Sequence, residues 1–215
     1  MPDRVGLREQ QDRGMDRFVA FSDAVFAFAI TLLALDLRLP EGSHYASDAA
    51  LREALFGLVP HFGTYVMSFL VVGQFWLAHH RKFVLITRHD AGLVWIDLVM
   101  LLFVVMVPSV TVLLREYTFR SAVTVYAATM AAIPLLSAVI GWYAIRRGLV
   151  GRAVTTKERR RLVRDPSLVA AVFVLSIVVA QWNARAAMWC WLLLIPASLV
   201  PSGRDGANGS DAAET

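Results

Sequence analysis

The sequence predicts an all-α, polytopic membrane protein with six transmembrane helices. Three observations carry that expectation: the apolar content, the recurrence of long uncharged runs, and the uneven placement of basic residues between the connecting segments. Of the 215 residues 57% are hydrophobic, and mean hydropathy is +0.56, against the roughly 45–50% apolar content of a soluble domain. The apolar runs approach the ~20 residues that match the hydrocarbon core of a bilayer. One membrane domain accounts for the whole apolar content, with no room for a second.

The first span is placed at Phe18 to about Leu39, after a polar segment of mixed charge, residues 1–17. A cleaved leader is not expected, given the acids Asp3, Glu9, Asp12 and Asp16 among its arginines, Asp23 inside the apolar run, and the lack of a small-x-small cleavage site. A polar loop from Pro40 to about Ala46 leads to Ser47-Asp48, a helix cap, and a second segment reaching His79, whose start from Leu51 to Leu58 is amphipathic. The third span, Ala91 to Leu114, contains Asp97 and Pro108, and the fourth, Ser121 to Ile145, contains Pro134. Kinks rather than breaks are expected there, because neighbouring helices can satisfy a carbonyl that proline frees.

The stretch from Arg146 to Asp165 is rich in arginine and reads as a loop, with Asp165 as cap and Pro166 in the first turn of the next helix. The fifth and sixth spans follow at Pro166–Gln181 and Ala186–Val200. Residues 18–200 thus form one six-helix transmembrane domain, and residues 201–215, rich in Gly, Ser, Ala and Asp, read as a disordered cytoplasmic tail.

Six spans place both termini on one side. Of the 21 basic residues, only Arg38, Arg52, Arg115, Arg120 and Arg185 fall on the opposite side, leaving 16 with the termini. The positive-inside rule then makes both termini cytoplasmic in a multi-pass protein of the cell membrane. The basic cluster from Lys157 to Arg164 is read as an orientation signal on a solvated loop, with anionic lipid or a protein partner as the alternative. The net charge of +4 is topology rather than a nucleic-acid footprint.

Cys190 is the single cysteine, so no intrachain disulfide and no CxxC centre can form. No HExxH or GxSxG pattern occurs, and the adjacent His79 and His80 point in different directions on a helix, which is poor ligand geometry. An enzyme, a cofactor and a resident metal are therefore not expected.

Asp23 is the oddest feature, since a carboxylate within a membrane helix is costly and faces protein or water. With Asp23 set at 0° and about 100° per residue, Ala24, Phe28, Thr31, Leu32 and Leu35 fall together on one face. The surrounding run, Arg17-Phe18-Val19-Ala20-Phe21-Ser22-Asp23 followed by Ala-Val-Phe-Ala-Phe-Ala-Ile-Thr-Leu-Leu, resembles the Arg-x-x-x-Phe-Ser-Asp signature of the prokaryotic relatives of transmembrane protein 175, the endolysosomal potassium channel. Gln74, Phe75, Trp76, His79, His80 and Arg81 at the end of the second span extend the resemblance; later spans match only in general character.

The resemblance implies a homotetrameric, potassium-selective channel without a Thr-Val-Gly-Tyr-Gly filter, in which the first helix of each subunit lines a central pore. Potassium is then the permeant ion, and the partners are three further copies and the bilayer. Carried over by distance from the motif aspartate, Phe28, Thr31, Leu32 and Leu35 line the constriction. Thr31 supplies hydroxyl oxygens, and Phe28 or Leu35 forms an apolar gate that can close by dewetting. Phe28 departs from the Ile or Leu more usual in relatives, and a larger ring would narrow the pore. Ordinary helix packing is the competing reading of such a stripe.

By the same resemblance Arg17, Phe21, Ser22 and Asp23 brace the first helix against the second near Trp76, His79 or His80; the histidines could instead sense pH. Asp97 is read as a helix-packing partner, and Asp36 and Arg38 as either pore-mouth or interfacial residues. The alternative function is a proton-coupled secondary transporter using Asp23, Asp97 and the histidines, although no internal repeat supports it. A single candidate pore helix cannot enclose an ion path, so ring symmetry must supply the other walls; the number four comes from the resemblance.

Overall fold

The computed structural model describes residues 3–35, 37, 45–117, 119–151, 153–183, 186–187 and 191. Among them six α-helices and no strand form: α1 (Asp3–Ala34), α2 (Asp48–Gly57), α3 (Val59–Leu85), α4 (Ala91–Glu116), α5 (Arg120–Arg146) and α6 (Thr156–Ala180). Four stretches are long and apolar enough to cross a bilayer, Arg13–Ala34 in α1 and the whole of α4, α5 and α6. The pair α2–α3, bent by 41° at its break, is long and apolar enough to make a fifth when taken as one broken span. The predicted sixth span, 186–200, lies almost wholly outside the described residues, as do Asp36, Arg38 and the tail at 201–215.

Helix ends follow local chemistry. Ser47 caps α2 by accepting from the Ala50 N–H at 3.2 Å. The helix then breaks at Leu58, ahead of Pro60 in the first turn of α3, because proline has no N–H to continue the ladder. The amphipathic start anticipated at 51–58 is therefore a separate helix, and α3 runs past His79 to Leu85. At the far end of α5, Gly148 adopts φ 66°, and the Leu149 and Gly148 amides close back on the Ala144 and Ile145 carbonyls at 2.9 and 3.2 Å. That left-handed residue ends the helix at the steric cost only glycine avoids.

One boundary departs from expectation. α6 starts at Thr156, not at Pro166, because Thr155 and Glu158 form a reciprocal capping box. Asp165 is thus no cap, and the arginines at 159, 160, 161 and 164 stand on a helix instead of a loop. Pro166 sits inside α6 and cannot donate to the Leu162 carbonyl one turn earlier. At that level α5 passes with Gly141, where a Cβ would stand 2.5 Å from the Leu162 oxygen. α4 and α5 likewise run through Pro108 and Pro134, both buried.

α5 packs between α4 and α6, and α1 packs on α3 and α4. Its inner surface is small, with Ala122, Ala127, Ala131, Ala138, Gly141 and Ala144 buried, which lets backbones approach where no hydrophobic drive pulls helices together in lipid. Larger side chains fill the remaining core, including Phe26, Leu33, Met100, Met130, Ile133, Ile140 and Phe173. At one end the α3–α4 and α5–α6 connections clasp: Ile86 bridges Val150, the Thr87 amide donates to the Leu149 carbonyl at 3.0 Å, and the Gly151 amide to the Leu85 carbonyl at 3.0 Å. Asp90 caps α4 there by accepting from the Leu93 amide at 2.9 Å and from the Tyr143 hydroxyl at 3.0 Å.

Candidate functional site

α1 divides the candidate residues between two faces. Ser22, Phe26, Ala29 and Leu33 follow one another at spacings of three and four, and all are buried. The opposite side carries Phe28 at 59% and Leu35 at 66% exposure, with Thr31 exposed and Leu32 partly covered. Large apolar side chains left open in this way are not covered by the described residues.

The buried face is held by a polar knot across three helices. Asp97 of α4 is fully buried and uses both carboxylate oxygens: the Ser22 hydroxyl of α1 donates to Oδ2 at 2.8 Å, and His79 Nε2 of α3 lies 2.8 Å from Oδ1. His79 Nδ1 has no hydrogen-bond partner among the described residues, and a hydrogen on Nε2, donated to Asp97, suits the geometry. Phe26 and Phe83 pack on the imidazole at ring distances of 5.4 and 4.5 Å.

About 100° around the helix from Ser22, Asp23 accepts from the Trp76 indole at 2.8 Å, a second α1–α3 tie nearer the surface. His80 lies against the Trp76 ring at 5.7 Å without joining the knot. Asp23, Trp76, Ser22 and His79 are thus brought to the α1–α3 seam, with Asp97 binding two of them. Arg17 is exposed and Phe21 is 51% exposed; neither enters the contacts described for this seam.

Sequence reasoning missed Lys82. It is buried and donates from Nζ to the Ser137 hydroxyl of α5 at 2.5 Å and to the Ser137 carbonyl. Ending the second span at His79 puts Lys82 in a loop; its spacing of three from His79 would have placed both on one face had the helix been carried to Leu85.

On the exposed face, the Thr31 hydroxyl donates to the Phe28 carbonyl at 2.8 Å. With its hydrogen committed to the helix's own backbone, the exposed oxygen keeps lone pairs free to accept.

Comparison with known proteins bears on this helix directly. Residues 17–108 match the family model described as the endosomal/lysosomal potassium channel TMEM175. Over these residues the chain is a homologue of TMEM175. It is 38% identical over 137 residues to a potassium channel of Streptomyces collinus, covering 61% of this chain and 65% of that protein. It is 36% identical over 136 residues to a potassium channel of Chamaesiphon minutus, covering 63% and 66%. The matches thus span just under two thirds of the length of these relatives. Among solved structures, the TMEM175 homologue of Chamaesiphon minutus, described as a lysosomal potassium-selective channel homologue, superposes with a TM-score of 0.74 at 26% identity over 87% of this chain and all of that one. A threonine-to-alanine variant of the potassium channel MtTMEM175 shares the fold at 16% identity, with a TM-score of 0.61. The TMEM175 relatives of this chain are ion channels, not enzymes.

Proposed function

We propose that this protein is a potassium-selective cation channel of the cell membrane, with cytoplasmic termini, in which four copies bring their α1 helices around a shared axis. Phe28, Thr31, Leu32 and Leu35 then face the ion path, and Ser22, Asp23, Trp76 and His79 fix the angle at which α1 leaves the bundle, with Arg17, Phe21 and His80 flanking that seam. The observation that carries the proposal is the exposed stripe on α1: Phe28 and Leu35 remain uncovered on the same helix whose other face is knotted to α3 and α4. Between them Thr31 keeps an exposed hydroxyl oxygen free to accept. Four such oxygens can replace part of a potassium ion's hydration, and the flanking apolar rings can empty of water to close the path. The names of the bacterial relatives, both potassium channels, agree with that chemistry.

The chicken relative, 28% identical over 135 residues and covered over 27% of its length, carries the name of a proton channel, so protons are the second permeant ion to test. Purified protein in liposomes should pass potassium in preference to sodium, and Thr31→Ala should reduce that preference by an order of magnitude with flux retained. Potassium flux indifferent to Thr31 removes the threonine ring. Uptake that requires an imposed proton gradient would replace the channel by a proton-coupled transporter.

A further inference from the structure

α6 extends beyond its apolar length by almost three turns, and that extension is ordered by face. Lys157, Arg160, Arg161 and Arg164 occupy positions i, i+3, i+4 and i+7, which align on one side of a helix, and all four are exposed. Arg159, which lies off this stripe, is partly covered. Continued along the same side, the stripe becomes apolar at Leu168, Ala171 and Leu175; Leu168 and Leu175 are 55% and 54% exposed. The opposite side, with Leu162, Ala170, Phe173, Ser176 and Ala180, is buried in the bundle. Among the described residues none of the four cations makes a salt bridge; the nearby Glu158 is committed to the capping box, with Arg161 its only cationic neighbour among them.

An orientation signal requires only that charge stay on one side of the membrane; it does not require the charges to share one helical face with an apolar strip below them. That combination matches a phospholipid, whose anionic headgroup meets cations at the interface while its acyl chains run along an apolar surface. At the same level on α5, which Gly141 holds against Leu162, Arg146 stacks over Trp142 at 4.8 Å, a pairing suited to the headgroup depth where tryptophan collects. We propose that the exposed face of α6 from Lys157 to Leu175 is a binding surface for an anionic phospholipid, with Lys157, Arg160, Arg161 and Arg164 holding the headgroup phosphate.

The test is lipid retention by the full-length protein, purified in detergent and weighed by native mass spectrometry after titration with phosphatidylglycerol or phosphatidylcholine. Wild type retains phosphatidylglycerol preferentially. Combining Lys157→Gln, Arg160→Gln, Arg161→Gln and Arg164→Gln weakens that retention at least tenfold, since each basic residue at an anionic surface contributes roughly a fivefold factor. Lysine at the three arginine positions preserves it, and Arg159→Gln leaves it unchanged. Should the glutamine variant fail to insert, ionic strength decides: wild-type retention must fall as salt rises. Equal retention of both lipids by wild type, retention unmoved by the glutamines, or retention indifferent to salt overturns the proposal. So does capture of polyglutamate without preference for phosphatidylglycerol, which would assign the face to an acidic protein.

Discussion

The two faces of α1 place opposite demands on their surroundings. Ser22, Phe26, Ala29 and Leu33 find everything they need inside one chain: a carboxylate at 2.8 Å for the hydroxyl, and the α3 and α4 core for the apolar groups. Phe28, Thr31 and Leu35, around the same cylinder, are left mostly open by the described residues, and the Thr31 hydroxyl turns back to the helix's own Phe28 carbonyl. A face completed within the subunit holds the fold. A face left incomplete must be finished by lipid or by further copies, so the two should respond to mutation in different currencies, stability for the first and conduction for the second.

The largest effect is expected at Asp97. Replacing it by alanine strands the His79 N–H in a dry interior, whereas Ser22 can fall back on the Phe18 carbonyl, 3.2 Å away. Breaking a buried pair costs about 3–5 kcal/mol, and the fallback places Asp97→Ala near the lower end, about 3 kcal/mol. Unfolding in detergent followed by circular dichroism would read it, with Asp97→Asn, which keeps an acceptor, losing less. If Asp97→Ala unfolds with wild type, the knot does not hold α1 to the bundle.

How far the sequence discloses this architecture depends on how local the cause is. The apolar runs of α1, α4 and α5 are visible because the bilayer imposes their length, and the motif from Arg17 to Asp23 locates the helix that carries both Ser22 and the exposed stripe. Asp97 stands out as a carboxylate in an apolar run, yet its partners do not, since Ser22 and His79 lie 75 and 18 residues away in sequence and only packing unites them. The start of α6 is misplaced because Asp165-Pro166 is a stronger short-range signal than Thr155 and Glu158, whose capping box depends on side-chain geometry. Lys82 escapes for a related reason. A lysine after two histidines reads as the end of a span, until Ser137 of another helix gives its ammonium a partner.

A smaller effect is expected at Asp90, which shares with Asp97 the property of serving two elements but lies outside the spans, at the clasp. The Leu93 amide at the start of α4 holds its carboxyl below the ordinary value, assisted by the Tyr143 hydroxyl and the Arg147 guanidinium. Because the folded carboxyl is the stronger acid, the unfolded chain binds more protons in the window between the two values. The stabilisation is therefore complete above the unfolded carboxylate value of about 4 and is lost as pH falls through the depressed folded one. Asp90→Ala should cost about 1 kcal/mol at neutral pH, the usual worth of a cap. Asp90→Asn should flatten the acid limb of the unfolding temperature measured against pH. Parallel acid limbs in wild type and Asp90→Asn would show that the clasp draws nothing from this charge.

The smallest change in stability, and the sharpest contrast with Asp97, belongs to Thr31. Its hydroxyl is exposed and returns its hydrogen to the backbone of its own helix, so Thr31→Ala leaves no buried group unpaired. Exposed substitutions of this kind stay within about 0.5 kcal/mol, and unfolding of Thr31→Ala should track wild type even as ion preference changes. A loss comparable with that of Asp97→Ala would mean that the apparently open face is already filled by another part of the assembled protein on which folding depends. The division of α1 into one structural and one conducting face would then fail at the residue best placed to report it.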